Sequence, residues 1–153
     1  MEAQSQGPYI QAALFADMIL EDKTGSLSAI RIIDRITHTA QGPNAPEDLP
    51  PFSRQLNALI AVKPGRAMGR QNFTLWMVNP DATRKQLTQG TFHFAGGPNQ
   101  GANLAMNLNV TFEQEGVYYF DFEVEGHLLT RMPIEVIYQR IVTGPMPGQA
   151  PGQ

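Results

Sequence analysis

Apolar and polar residues alternate with a period of two along most of this chain, and the spacing of an amphipathic helix is scarce. Residues 9–20 (YIQAALFADMIL) are apolar enough to pass for a short helix. The turn-forming DKTG at 22–25, followed by a second β-branched run, favours a hairpin instead. That second run, LSAIRIIDRITH, places Ile30, Ile32 and Ile36 on one face and Arg31 and Arg35 on the other. After a polar, proline-rich loop over 41–52, alternation returns with Leu56, Ala58, Ile60 and Val62 on a common face. The run NFTLWMV is apolar on both faces, as expected of a strand covered on both sides. It ends at the turn signal Asn79-Pro80-Asp81. A weaker strand over 85–94 precedes the glycine-rich loop AGGPNQG.

The strictest alternation comes next. Leu104, Met106, Leu108, Val110 and Phe112 point one way, and Asn103, Ala105, Asn107, Asn109 and Thr111 the other. A slip of one residue would bury three asparagines, so the register here is firmly set. The last patterned stretch, GVYYFDFEVEGHLLTRMPIEVIY, predicts a hairpin with Tyr118, Phe120 and Phe122 facing inward. If Gly126 takes the left-handed position of a three-residue loop, Leu128, Met132, Ile134 and Val136 fall in phase with Phe122. A two-residue turn would instead pair Val124 with His127 and need a bulge near Pro133. Unbroken alternation favours the first arrangement, and Pro133 marks an edge or a bulge. About eight short, turn-punctuated strands predict an all-β fold, an antiparallel, immunoglobulin-like β-sandwich. Gly116 followed by Tyr118 at the start of an inner strand is where such sandwiches place a corner tyrosine.

Length suits one domain: 153 residues, read as a flexible N-terminus (1–8), a sandwich (9–143) and a disordered Pro/Gly tail (144–153). Charged residues make up 16% and the net charge is −3, which gives no electrostatic reason to expect nucleic acid or a membrane as partner. No apolar run approaches the roughly 18 residues of a membrane span. No basic-then-apolar leader opens the chain, so a cytoplasmic location is expected. Cysteine is absent, which removes disulfides, thiolate nucleophiles and thiolate zinc sites.

Candidate chemistry is thin. His38, His93 and His127 lie in separate segments without metal-ligand spacing, and no serine sits in a nucleophile elbow. The glycine-rich loop lacks the lysine and hydroxyl of a phosphate-binding loop and leads into a strand rather than a helix. No cofactor is therefore expected. Asp34 shares the apolar face of Ile30, Ile32 and Ile36, so it is either a buried acid or turned outward by a bulge; the outward, structural reading is favoured. The outward asparagines Asn103, Asn107 and Asn109 form the best surface feature. Their amides suit sugar hydroxyls, and Trp76, if exposed, could stack on a sugar ring.

Two segments, ALFADMILEDKTGSLSAIRIIDRI and GVYYFDFEVEGHLLTRMPIEV, together resemble a family of small bacterial β-sandwich proteins known only as a domain of unknown function. The resemblance spans 9–136. It implies the sandwich fold and brings no catalytic residue with it. The expected role is a non-enzymatic scaffold or interaction module that binds another protein or its own copy. A carbohydrate or small-ligand module using the asparagine face is the alternative, and an enzyme built on Asp34 and a histidine is the third reading.

Overall fold

A computed structural model describes residues 7–97 and 99–142. Most of the N-terminal stretch 1–8 and all of the tail 144–153 lie outside the described residues. Among the described residues nine strands run in order: β1 (Tyr9–Glu21), β2 (Leu27–Ile33), β3 (Arg35–Gln41), β4 (Phe52–Lys63), β5 (Gly69–Val78), β6 (Arg84–Phe94), β7 (Ala102–Phe112), β8 (Gly116–Val124) and β9 (His127–Ile141). No helix of the described residues is long and apolar enough to cross a membrane.

The strands form two facing sheets, ordered β2-β1-β4-β7 and β3-β9-β8-β5-β6. This is an immunoglobulin-like sandwich: β4 and β7 sit where that fold has its B and E strands, and β5, β8 and β9 stand for C, F and G. Inward residues of both sheets make one core. Leu56, Ala58, Ile60 and Val62 of β4 and Leu108, Val110 and Phe112 of β7 are buried against Phe73, Leu75, Phe120, Phe122 and Ile134 of the other sheet. Phe15 reaches Phe120 edge-on at 4.8 Å between centroids, and Phe112 meets Tyr118 the same way at 4.9 Å.

The run from Leu27 to Gln41 is two strands, and this accounts for the ninth. β2 pairs antiparallel with β1 in the first sheet. The chain then leaves that sheet at Asp34, after Arg31 adopts a left-handed φ of 59°. It continues as β3, which pairs parallel with β9 and makes the sandwich not wholly antiparallel. The carbonyl of Asp34 accepts the amide of Glu135 at 3.0 Å and starts the parallel ladder. Ile36 therefore enters the core, whereas Ile30 and Ile32, expected on the same buried face, stay exposed. A change of sheet ends the phase relation that alternation carries along one strand. The run NFTLWMV also departs from expectation. Its inner residues Phe73, Leu75 and Met77 are buried, but Thr74, Trp76 and Val78 face outward, half-buried beneath no second layer.

The last hairpin turns on two residues. Val124 lies opposite His127, and Glu125 and Gly126 both have positive φ, 49° and 79°. Such turns match the right-handed twist of the flanking strands. The bulge this demands falls at Leu129, between the pairs Glu123↔Leu128 and Phe122↔Thr130. From Phe122 to Gly116 the pairing is the one that a three-residue loop implies, because the extra residue restores the offset. Leu128, expected inside, is exposed, and Leu129 packs against the core in its place.

Candidate functional site

Asn103, Asn107 and Asn109 are exposed on the outer face of β7, which is an edge strand. They continue across β4, where Asn57 lies opposite Asn107 and Gln55 opposite Asn109. Ser53 and Thr111 share a hydrogen bond of 2.8 Å in the same row. Trp76 does not join them. It lies on β5 in the other sheet, and its indole N–H donates to Glu123 Oε1 at 2.9 Å. The Arg84 guanidinium sits 4.0 Å above its ring and binds Glu123 Oε2 at 2.7 Å. One face of the indole is thus already occupied by a cation, and the outward positions of β4 and β7, which carry the asparagine row, hold no aromatic residue.

The residues expected to brace the fold sit at its corners. The Tyr118 hydroxyl donates to the Gln114 carbonyl at 2.7 Å and accepts from the Gln114 amide at 3.1 Å, closing the turn between β7 and β8. Burial pushes its phenol pKa up. Gly116 has φ 130°, and a Cβ there would come within 2.9 Å of Pro80. Pro133 lies in β9 just before the parallel ladder begins. The Glu135 amide, two residues on, points towards β3, so the missing amide of Pro133 faces the same side where β3 has not yet started. Asp34 is exposed at the crossover, so it forms no buried acid.

Sequence reasoning missed two features. The first is Asp121, on the outward face of β8 yet only 5% exposed. Arg131 grips both its oxygens, at 2.7 and 2.9 Å, and also lies 4.9 Å over Tyr119. The carboxylate holds the Arg131 pKa above its ordinary value. The signal was present in the register, since the three-residue arrangement favoured from the sequence already sets Asp121 opposite Arg131.

The second is an apolar strip on the β1–β2 hairpin. Met18 lies opposite Ile30, with Ala16 opposite Ile32 and Leu20 opposite Ser28, so these side chains share the outer face of the first sheet. Met18, Leu20, Ile30 and Ile32 are 50%, 46%, 46% and 66% exposed. β2 is an edge strand and none of its residues is buried. The neighbouring inner side is polar: Asp17 bridges Arg31 and Arg54, each at 3.3 Å. A hollow of about 170 Å³ opens where the chain crosses between sheets, lined by Leu14 and Ile32 from the strip side and by Asp34, Arg131 and Pro133. Doubly apolar strands in YIQAALFADMIL and LSAIRII carried the signal, because a sandwich sheet covers one face only.

Two further carboxylates are engaged by their own turns. Asp22 accepts from the hydroxyl and amide of Thr24 and the amide of Ser26, and Asp81 accepts from Thr83 in the same manner. These bonds hold both carboxyls below the ordinary aspartate value. His38 stacks on Phe52 at 4.4 Å. No group of three or more potential metal ligands occurs among the described residues.

The sequence profile of a family of unknown function, DUF6941, matches residues 11–137. The chain belongs to this family. The DUF6941 match begins in β1 and ends in β9, so it takes in both sheets and the hairpin strip. No curated protein matches the chain. Among solved structures it is similar to a β-glucosidase from Listeria innocua, at 6% identity and a TM-score of 0.49, over 87% of this chain and 17% of that one. It spans about a sixth of that enzyme's length. It is also similar to a CARDB domain from Pyrococcus furiosus in complex with di-metal ions, at 13% identity and a TM-score of 0.42, over 88% and 97% of the two chains. An immunoglobulin-like protein from Pseudomonas aeruginosa follows at 10% identity and a TM-score of 0.35, over 86% and 98%. Identities this low concern fold alone.

Proposed function

We propose that this DUF6941 chain is a non-enzymatic protein-interaction module whose docking face is the outer side of the β1–β2 hairpin. The observation that carries this reading is the exposure of Met18, Leu20, Ile30 and Ile32 together on the outer face of one hairpin. Apolar side chains grouped on a free surface favour contact with another apolar surface over contact with water, at about 25 cal/mol per Å² removed from water. The adjoining hollow is smaller than the roughly 300 Å³ of a small-molecule pocket and suits one anchoring side chain. The partner is a different protein that presents an apolar segment. The non-enzymatic half of the reading is supported by where the acids go. Asp121, Glu123 and Asp17 are held by arginines, and Asp22 and Asp81 by their own turns.

A photo-cross-linking residue at position 32 in the native host, with mass spectrometry of the adduct, tests the proposal. One defined partner should be captured, and Met18→Lys with Ile30→Lys should abolish its capture while Asn103→Lys leaves it intact. Equal capture by the lysine double variant would remove the hairpin as the docking face. An adduct only to a second copy would replace the partner by self-association.

A further inference from the structure

Four strands in this fold are sheet edges, and three of them are guarded against pairing with another chain. β2 has the left-handed kink at Arg31, and β3 carries Arg35 and His38. β6 begins with Arg84 and Lys85 and pairs with β5 through a register shift. Such charges, kinks and bulges are how sheets protect their rows of unpaired amides and carbonyls. β7 has none of them. Its 11 residues, ANLAMNLNVTF, include no charge, proline or glycine, and every one is paired to β4 without a shift. Among the described residues its other side pairs with nothing.

We infer that β7 is a self-pairing edge, which joins two copies of the chain antiparallel about a two-fold axis perpendicular to the sheet. The four-stranded sheets would then run on as one eight-stranded sheet. This interface is separate from the hairpin strip and stands or falls independently of the function proposed there. The sequence of β7 suits its own copy. A perpendicular two-fold keeps outer faces together, and the register that pairs all of β7 sets Asn107 opposite the second copy's Asn107. Asn103 then meets Thr111, Met106 meets Leu108, and Leu104 meets Val110. Polar faces polar and apolar faces apolar at each of these pairs, and the small Ala105, opposite Asn109, is the one mismatch on the outer face. An amide is both donor and acceptor, so asparagine can bond its own copy, whereas any charged residue on the axis would face its like. Leu104 and Met106, which are half-buried at the open lip of the core, would be covered by the second copy. A foreign extended peptide would have to reproduce the alternation of amide and apolar side chains that β7 itself already carries.

Sedimentation equilibrium of the full chain should show concentration-dependent growth from 16.9 kDa towards twice that mass. Asn107→Lys, at an exposed position that leaves the fold intact by circular dichroism, should weaken association by about a hundredfold or more. Met18→Lys with Ile30→Lys should leave it unchanged. As the chain contains no cysteine, Asn107→Cys should oxidise to a disulfide-linked dimer, whereas Asn103→Cys should not. A mass of 16.9 kDa at all concentrations would overturn the inference, as would a dimer insensitive to Asn107→Lys. A dimer lost only with the hairpin substitutions would also overturn it, while leaving the strip as an interaction face.

Discussion

Replacing Tyr118 by phenylalanine removes a single oxygen from the corner between β7 and β8 and keeps the ring against Phe112. The lost hydroxyl makes two hydrogen bonds with Gln114, one donated at 2.7 Å and one accepted at 3.1 Å. Each contributes about 1 kcal/mol net, and Gln114 is half-buried, so water replaces the lost partner only in part. The expected loss is about 2 kcal/mol. For a domain of this size that lowers Tm by about 6 °C. Burial raises the Tyr118 pKa in the folded state, so its contribution is present below the unfolded value of about 10 and is lost as pH rises through the higher folded value. Wild type should therefore lose stability along an alkaline limb that Tyr118→Phe shows less of. Chemical denaturation at neutral pH measures the loss, with Tyr119→Phe as the exposed control. A Tyr118→Phe loss below about 0.5 kcal/mol, or one matched by Tyr119→Phe, would refute the corner's role.

Three further outcomes follow from the packing. Ile36→Ala should destabilise by about 2–4 kcal/mol in a urea titration, while Ile32→Ala stays within about 0.5 kcal/mol, because only Ile36 enters the core. Gly101→Ala should cost about 2 kcal/mol or more, since its Cβ would fall 2.1 Å from the Val62 carbonyl oxygen; Gly97→Ala meets only the movable Gln100 side chain and should cost far less in the same assay. The Asp22 and Asp81 pKa values are lowered on folding, so each adds stability above about pH 3.9 that is lost as pH falls through the depressed values. Carboxyl chemical-shift titration should find both midpoints below that of an unstructured aspartate, and Asp22→Asn with Asp81→Asn should flatten the acid limb of stability.

Alternation within a strand is a local property, set by the geometry of the chain itself. It was enough to assign the inward faces of β4, β7 and β8, to place Tyr118 at its corner and to mark the Asn103, Asn107 and Asn109 row as outward. It was also enough for the all-β sandwich. Where the sequence reading went astray, a second segment intervened. Ile30, Ile32 and Ile36 are in phase along the chain, but the chain changes sheet between them, and which sheet covers a residue is no property of its neighbours in sequence. Trp76 and the asparagine row look like one binding surface until the strand order puts them on opposite sheets.

The hairpin at Gly126 shows the same division on a smaller scale. Sequence alone determined that the chain bends at Glu125-Gly126 and that Phe122 and Met132 face the core, because turn chemistry and period-two patterning act over a few residues. Tertiary structure decided that the turn holds two residues, that Leu129 bulges, and that Leu128 is left outside. It alone brought Arg131 onto Asp121, left the β1–β2 strip uncovered and made β7 an edge. Each of these depends on which distant segment lies alongside, and that is settled by burying one shared core between two sheets rather than by any stretch of residues on its own.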